Sequence, residues 1–368
     1  MKVAIVGPTH PYKGGIAQST TTLARQLGAA GHVVDVVSWS AQYPDFLYPG
    51  EQRVPADRPE VEPWPRATYP LAWYRPDGWV RTGRRLRAYD VVVFVLVTPV
   101  QVPAYLTMLA ALGRRPSVRT VVLCHNVLPH ERRMVDPTLV RALFRRTDGA
   151  LVHSGDQARM ARGLGARQVA VAELPSGFPT LAGAEPAVVP DADVHRRLLF
   201  FGLVRPYKGL DILLAALAKV PGVGLTVAGE FWGETLRVTE LTVDELGLRD
   251  RVEIRAGYVD AAEVPALFAG TDALVLPYRQ ATSSYNADVA FQYGAPVVVT
   301  RAGALADRVS DGVDGLVCAP DDVDDLAAAL RRLYGEPGLL AALRAGVRPP
   351  DHTGKWERYA EALLAAAG

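Results

Sequence analysis

The chain has 368 residues, of which 49% are apolar and 21% are charged, and its formal net charge is +1. This length and apolar fraction predict two domains rather than one, and the balanced charge gives no overall reason to expect nucleic acid as a partner. No apolar run reaches the roughly twenty residues that span a bilayer, and the apolar run near the N-terminus is too short for a signal peptide. We therefore expect a soluble, cytoplasmic protein.

Cysteine usage and charge distribution refine this expectation. Cys124 and Cys318 lie in apolar runs, which indicates core residues in a reducing compartment rather than a disulfide framework. Residues 1–180 contain 22 Lys and Arg against 13 Asp and Glu, whereas the rest of the chain has an acidic excess of 8. A basic first half suits peripheral contact with the inner face of a membrane or with an anionic acceptor, although solvated arginines are the simpler interpretation.

The chain opens with a strand, a helix and a second strand. KVAIVG is typical of a strand covered on both faces, a helix is predicted over residues 16–31, and HVVDVVSWS has the pattern of another strand. The intervening loop, with Gly14 and Gly15, lies where a Rossmann fold binds phosphate. A dehydrogenase is disfavoured, because the G-x-G-x-x-G spacing is missing and the second strand ends without an acidic residue.

A stretch rich in Pro, Tyr and Trp follows over residues 41–75, and we interpret it as an irregular loop region at the sheet edge. The segment WVRTGRRLRAY then predicts a basic helix. Its arginines are the local candidates for touching a membrane surface, with a solvated helix face as the simpler interpretation: Arg81, Arg84, Arg85 and Arg87. A buried strand, DVVVFVLV, and an apolar helix near residues 102–112 continue the alternation.

The stretch RTVVLCHNVLPHERR predicts a strand that delivers His125 and Asn126 at its carboxyl end, with His130 after a proline. Ligands of open α/β sheets gather at the carboxyl ends of the strands, so we expect His125 and Asn126 to face a ligand. An imidazole there can donate to a sugar hydroxyl or phosphate, or exchange a proton near neutral pH. A histidine that only completes a loop is the alternative.

Further strands and helices complete the first domain, including a helix with Ser154 as its predicted N-cap. Residues 177–197 are rich in Pro and Ala without periodicity, and we interpret them as an interdomain linker. The D-x-D sequence inside the linker lacks an adjoining buried strand, so no metal site is expected there. Beyond it, strands such as LLFFG, VGLTVAGE and DALVLPY alternate with helices, which predicts a second parallel sheet.

The second domain begins with LFFGLVRPYKGLD, a buried strand followed by a turn and a helix start. Arg205 and Lys208 lie three residues apart in the turn. Two cations beside free backbone N–H groups indicate an anion site, most naturally for a phosphate or diphosphate. Two solvated surface cations are the alternative. Downstream, Glu230 follows a strand, and Ser284 precedes a short helix, predicted over residues 285–293, whose N-terminus would point at the same turn.

The second half of the chain contains several motifs in a fixed order. They are a basic turn ending in Lys208-Gly209, then AGE, GYV and PYR, a helix before GAPVVVT, and SDGVDGLVCAPDDVDDLAAAL. In this order, and in its opening GGIAQSTTTLARQLGAAGHVVDVVS, the chain resembles the retaining family-4 glycosyltransferases. The resemblance implies an α/β fold, GT-B, with two Rossmann-like parallel-sheet domains facing a cleft and a C-terminal helix crossing back to the first domain. The implied domains are residues 1–180 with 353–368, for the acceptor, and 197–350, for a nucleotide sugar.

The resemblance also implies a site that needs neither a metal nor another cofactor. Arg205 and Lys208 would hold the donor diphosphate, and the backbone around Tyr258 would frame the base. The full set of implied donor-binding residues is Gly14, Gly15, Arg205, Lys208, Glu230, Tyr258, Val259, Ser284, Tyr285 and Asp288. The candidates for catalysis are His125, Arg205 and Lys208, and those for the acceptor side are Asn126 and His130.

The chain departs from the family at one motif. A Glu, seven residues and a second Glu usually precede the GAPVVV-like strand, but Ala281 and Val289 occupy those places here. Asp288 is one residue away and could replace the ribose contact, although the helix turns it by about 100°. The chain looks closer to a branch that lacks the first Glu and has a Ser-containing turn.

The sequence therefore predicts transfer of a sugar from a nucleotide-diphosphate donor to an acceptor hydroxyl, with retention of configuration. The acceptor would be a saccharide, a lipid-linked saccharide or a small molecule. Two alternatives remain open: a sugar-nucleotide epimerase of the same architecture, which would need no acceptor, and a non-catalytic subunit that only binds a nucleotide sugar.

Overall fold

The computed structural model describes residues 1–44, 52–54, 59, 61–113, 116–129, 134–175, 196–260, 262–281, 285–351 and 353–368. These residues divide into two compact units. The first comprises the described residues up to 175 together with 353–368, and the second comprises those of 196–351. Most of the predicted linker over residues 177–197 lies outside the described residues.

The first unit is built on a seven-stranded sheet in the order β3-β2-β1-β4-β5-β6-β7, and every neighbouring pair is parallel. Its strands are β1 (Lys2–Val6), β2 (Val33–Ala41), β3 (Ala67–Ala72), β4 (Val91–Leu96), β5 (Arg119–Cys124), β6 (Gly149–Val152) and β7 (Gln168–Val171). Its first helices are α1 (Gly15–Ala29), α2 (Pro76–Arg85), α3 (Val102–Leu112), α4 (Asp136–Phe144) and α5 (Gly155–Gly163). The side chain of Ser154 accepts the Gln157 N–H, which confirms the predicted cap of α5.

One prediction for this unit was wrong. The stretch over residues 41–75 is not irregular throughout, because β3 lies within it and pairs with β2 at the sheet edge. Pro70 lies within β3, and an edge strand tolerates a proline because one side of its ladder is unpaired. The parts of the stretch over residues 45–51, 55–58 and 60 lie outside the described residues.

The second unit is built on a six-stranded parallel sheet in the order β10-β9-β8-β11-β12-β13. Its strands are β8 (Arg197–Phe201), β9 (Gly224–Gly229), β10 (Val252–Ala256), β11 (Ala273–Leu276), β12 (Val297–Thr300) and β13 (Gly315–Cys318). Its helices are α6 (Leu210–Ala218), α7 (Thr235–Glu245), α8 (Val264–Ala269), α9 (Tyr285–Gln292), α10 (Val323–Gly335) and α11 (Leu339–Gly346).

The strand order fixes where a ligand is expected in each sheet. In the first sheet β1 lies between β2 and β4, and in the second β8 lies between β9 and β11. The chain therefore leaves each of these strands toward one side and returns on the other. Open α/β sheets bind ligands at such switch points, outside the carboxyl ends of the strands. The segments that follow β1 and β8 contain the two phosphate sites that we predicted from the sequence.

The last helix, α12 (Lys355–Ala365), belongs to the first unit, where it contacts α1, β6 and β7. The side-chain amide of Gln168 donates to the Ala365 carbonyl at 3.0 Å. The two parallel sheets and this returning helix confirm the predicted fold class. Cys124 and Cys318 are buried free thiols, as expected for core residues. Among the described residues, none of the helices has both the length and the apolar character that crossing a membrane requires.

Candidate functional site

The turn after β8 has a shape that its glycine dictates. Residues Pro206–Lys208 form one 3-10 turn, and Gly209 follows with a φ of 68°, in the left-handed region that favours glycine. A Cβ placed on Gly209 would collide with the carbonyl oxygen of Pro277. This close approach sets Lys208 directly before the first turn of α6.

Lys208 is buried, with 8% of its surface exposed. Burial lowers the pKa of its ammonium, and the neighbouring positive charge of Arg205 lowers it further, while Tyr207 acts in the opposite direction. The Nζ atom lies 5.3 Å from the ring centroid of Tyr278, within the range of a cation–π contact. A desolvated cation of this kind gains much from binding an anion, because little water competes for it.

Arg205 begins the same turn and is half-buried. Its Cζ atom lies 3.9 Å from the ring centroid of Trp232, so the guanidinium is close to the indole. The backbone ties the two segments together: the Val204 N–H donates to the Glu230 carbonyl at 2.7 Å, and the Trp232 N–H donates to the Val204 carbonyl at 3.2 Å. Both predicted cations thus belong to one turn at the switch point of the second sheet.

The first turn of α9 lies beside Lys208. Asn286 donates through Nδ2 to the Phe201 carbonyl at 2.8 Å, and the same nitrogen lies 3.4 Å from the Tyr278 hydroxyl. A Cβ placed on Gly202 would lie 3.2 Å from this nitrogen and 3.7 Å from the Lys208 Nζ. The amide and the ammonium therefore flank the same face of Gly202, next to the positive end of a helix dipole.

Two predicted residues of α9 have different surroundings. Tyr285 is its first residue and is half-buried, while Ser284 lies outside the described residues. Asp288 is buried, and its Oδ2 lies 2.6 Å from the Nη1 of Arg308, whose side chain is 16% exposed. The carboxylate proposed for a ribose contact is thus engaged in a largely buried ion pair.

The remaining predicted residues of the second unit follow the neighbouring strands β9 and β10. Glu230 comes directly after β9 and is half-buried. The Gly257 N–H donates to the Gly229 carbonyl at 3.0 Å, which joins the two strand ends. Tyr258 and Val259 follow Gly257, and 38% of the Tyr258 surface is exposed. These residues lie at the same edge of the sheet as Lys208.

In the first unit, Gly14 and Gly15 form the start of α1. Gly14 is its N-cap with a φ of 87°, and a Cβ placed on it would meet no described atom within 4 Å. The first turn of α1 contains no acidic residue. A glycine-capped helix start without an acidic residue in its first turn favours an anion.

His125 follows β5 and is 7% exposed. Its backbone N–H donates to the Leu96 carbonyl at 3.2 Å, which holds the end of β5 against β4. Its Nε2 is buried and has no hydrogen-bond partner within the described part of the chain. Burial lowers the pKa of His125 well below its usual value, with a smaller contribution from His153. The imidazole is therefore neutral near pH 7, with a buried ring nitrogen that makes no hydrogen bond to a described residue.

His153 packs edge-on against His125, with ring centroids 5.2 Å apart. Burial lowers its pKa to about 4. The other acceptor-side candidates are less well defined: Asn126 is half-buried next to His125, and His130 lies outside the described residues. The Val127 N–H donates to the Gln157 side chain at 2.7 Å, which fixes the loop that carries Asn126.

Sequence reasoning missed four residues that build the site of the second unit. Trp232, Tyr278 and Asn286 contact the cations or flank them, as described above. Arg279 holds the turn itself, because it donates to the Pro206 carbonyl at 2.7 Å and pairs with Asp211 at 2.6 Å. The signal available in the sequence was position, since each residue lies at or just after the end of a predicted strand, or in the first turn of a predicted helix. No group of three or more His, Cys, Asp or Glu side chains within the described ranges could hold a metal ion.

Comparison with known proteins matches both units to glycosyltransferases. A family model described as Glycosyltransferase Family 4 matches residues 13–180, and one described as Glycosyl transferases group 1 matches residues 195–336. A D-inositol 3-phosphate glycosyltransferase of Mycobacterium marinum is 34% identical over 174 residues, or 45% of this chain and 37% of the relative. The alignment with that of Segniliparus rotundus covers 43% of the relative, so the chain spans less than half the length of these curated relatives.

Solved structures match over nearly the whole chain. HepE of Anabaena, in complex with UDP and glucose, has a TM-score of 0.74 at 17% identity and covers 99% of this chain and 100% of its own. Sucrose-phosphate synthase from Thermosynechococcus elongatus has a TM-score of 0.70 at 19% identity and covers 100% of this chain and 96% of its own. At these identities the likeness shows the fold, which is GT-B.

Proposed function

Since the chain belongs to the family-4 glycosyltransferases, we propose that it transfers a sugar from a nucleoside-diphosphate donor to an acceptor hydroxyl with retention of configuration. One observation carries the proposal: Arg205 and the buried Lys208 share a single turn at the switch point of the second sheet. The known complex of HepE with UDP and glucose supports a nucleotide of this class as the ligand.

The proposed chemistry needs charge neutralisation where the donor breaks. As the bond between C1 of the sugar and the phosphate oxygen breaks, negative charge grows on the leaving diphosphate. Arg205, Lys208 and the start of α9 can stabilise that charge without a bound metal, because fixed cations and dipoles in a partly desolvated site act strongly. The acceptor oxygen forms its bond to C1 on the face that the phosphate leaves, and its proton passes to the leaving phosphate oxygen.

On the first unit, we assign His125 the role of orienting the donor sugar or its phosphate. A neutral imidazole can donate or accept a hydrogen bond, and the burial of His125 keeps it neutral near pH 7. Gly14 and Gly15 are assigned to the donor phosphates, because the helix start that they form carries no acidic side chain.

The test is release of nucleoside diphosphate from UDP-, GDP- and ADP-sugars, with and without an acceptor panel that includes inositol phosphate. Arg205→Ala and Lys208→Ala should abolish transfer while the protein stays folded. Lys219→Ala is the matched control, because Lys219 lies at the opposite end of α6 and pairs with Asp324 at 2.6 Å on the surface. Unchanged turnover in both site variants would remove the proposed site. Full activity in the presence of EDTA is the expected result for a reaction without a metal.

A non-catalytic nucleotide-sugar-binding subunit is the second candidate. It is favoured by the paired-Glu positions, which hold Ala281 and Val289, and by the ion pair that engages Asp288 with Arg308. Such a subunit would bind a nucleotide sugar without releasing nucleoside diphosphate with any acceptor. An epimerase would instead convert the donor sugar with no acceptor present.

For a lipid-linked acceptor, the exposed arginines of α2 are the proposed contact with anionic headgroups. Arg81 pairs with Asp77 at 2.5 Å, and Arg87, just beyond α2, donates to the Leu112 carbonyl at 3.2 Å. Arg84 and Arg85, which are also exposed, are therefore the charges to test. Co-sedimentation with vesicles that contain phosphatidylglycerol should exceed that with phosphatidylcholine alone, and should fall with salt. Replacing both arginines by glutamine should remove the difference.

A further inference from the structure

The side chain of Trp232 lies against the guanidinium of Arg205, with the ring centroid 3.9 Å from Cζ. This is closer than another arginine–aromatic contact of the second unit, in which the Arg196 Cζ lies 5.5 Å from the Tyr334 ring centroid. At 3.9 Å the two groups are in van der Waals contact. Trp232 therefore limits the positions that the Arg205 guanidinium can occupy.

The backbone holds Trp232 in register with the turn of Arg205. Its N–H donates to the Val204 carbonyl at 3.2 Å, and its own carbonyl accepts from the Thr235 hydroxyl at 2.8 Å. Phe231 bridges to Val204 in parallel fashion and packs against the apolar core of the second unit. Phe231 and Trp232 are both half-buried. Because neighbouring side chains of an extended segment point in opposite directions, Phe231 packs against the core and Trp232 lies beside Arg205.

An aromatic ring is well suited to hold an arginine that must also bind an anion. A guanidinium that lies against a ring keeps the N–H donors around its edge available for phosphate oxygens.

We infer that Trp232 is the positioning residue for Arg205, holding its guanidinium beside Lys208 in the orientation that binds the diphosphate of the donor. The inference rests on the proposed function, because it takes the anion at this turn to be a nucleoside diphosphate. It adds a residue of the loop between β9 and α7 to a site that the sequence placed in the turn after β8. Trp232 acts through Arg205 and needs no contact of its own with the ligand.

The test is a double-mutant cycle on nucleoside-diphosphate affinity, measured by calorimetry with UDP, GDP and ADP. Trp232→Leu should weaken binding about five- to tenfold, and Trp232→Phe should restore most of the affinity, because a smaller ring still holds the guanidinium. In the Arg205→Gln background, titrated to millimolar ligand, Trp232→Leu should change the affinity less than about twofold. Trp73→Leu, at an exposed tryptophan of the first unit, is the matched control.

The outcomes separate this inference from the function on which it rests. Equal losses from Trp232→Leu with and without Arg205 would overturn the positioning role, since the indole would then act independently. Loss of affinity in Trp232→Phe as large as in Trp232→Leu would do the same. If the wild-type protein bound none of the three nucleotides, the proposed function would fail and the inference with it. Thermal unfolding of every variant shows whether an affinity change reflects the site or the fold.

Discussion

The Nε2 of His153 and the hydroxyl of Tyr359 lie 2.9 Å apart, although 206 positions separate the two residues in the chain. His153 follows β6, and Tyr359 lies in α12. Both are buried, and His153 in turn packs against the ring of His125. Through Tyr359 and His153, α12 therefore supports His125, the histidine that we assign to the reaction.

This arrangement predicts a loss of stability in mild acid. Burial lowers the pKa of His153 from 6.5 to about 4, so between these values the unfolded chain takes up a proton that the folded protein resists. The free energy of unfolding should therefore fall as the pH falls from about 6.5 to about 4, by on the order of 3 kcal/mol for this one group.

Urea unfolding at several pH values measures the effect. His153→Gln should show a smaller loss of stability across the same range, because glutamine does not titrate there and can still bond to Tyr359. His32→Gln is the control, because His32 lies near the N-terminal amino group rather than in the His125–His153 pair. An identical pH profile for wild type and His153→Gln would refute the assignment.

His125→Ala is predicted to lower turnover strongly while weakening donor affinity only mildly. The reason is that the buried Nε2 of His125 is expected to bond to one group of the reacting sugar or phosphate, whereas Arg205 and Lys208 supply most of the attraction for the diphosphate. Turnover and calorimetric affinity, measured on the same preparation, separate the two effects. A loss of affinity as large as the loss of turnover would move His125 from the reaction to ground-state binding.

Lys208→Met is predicted to uncouple stability from binding. The lowered pKa of Lys208 means that burying its charge costs free energy in the unliganded protein. An unbranched apolar side chain should therefore leave the melting temperature unchanged or raise it by a few degrees, while the increase caused by nucleoside diphosphate disappears. Lys219→Met should keep that increase. A melting temperature well below that of wild type would show that the ammonium stabilises the fold.

Gly209→Ala should destabilise the second unit more than Gly247→Ala, although both glycines have similar φ values of 68° and 64°. The left-handed conformation alone costs an alanine about 1–2 kcal/mol. At Gly247 no described atom lies within 4 Å of an added Cβ, whereas at Gly209 it would meet the Pro277 carbonyl. Chemical denaturation measures the loss in free energy of unfolding for each variant. Equal losses would mean that the turn that carries Lys208 shifts away from the added methyl group at little cost.

The fold was predictable because its strands are nearly continuous apolar runs separated by helical segments. A strand buried on both faces, such as β4, is apolar along its whole length, so its sequence cannot be mistaken for that of a surface loop. β3 was missed for the opposite reason: it is a half-exposed edge strand with a proline in it. Its pairing with β2 depends on tertiary contact rather than on local pattern.

Spacing in the sequence brings together only those residues of the candidate site that are neighbours in the chain. Arg205 and Lys208 share one turn, so their spacing revealed them. Trp232 and Asn286 come from segments that reach this turn through the order of strands in the sheet, and a single sequence does not state that order. The pairing of Asp288 with Arg308 was hidden in the same way, since 20 positions separate them.

The return of α12 to the first sheet has a consequence for biosynthesis. Residues 196–351 form one uninterrupted segment, whereas the first unit needs the helix at residues 355–365 to complete its packing. A ribosome releases that helix only after the whole of the second unit. The second unit can therefore fold while the first unit still lacks α12. This order is the reverse of the usual one, in which the N-terminal domain folds first.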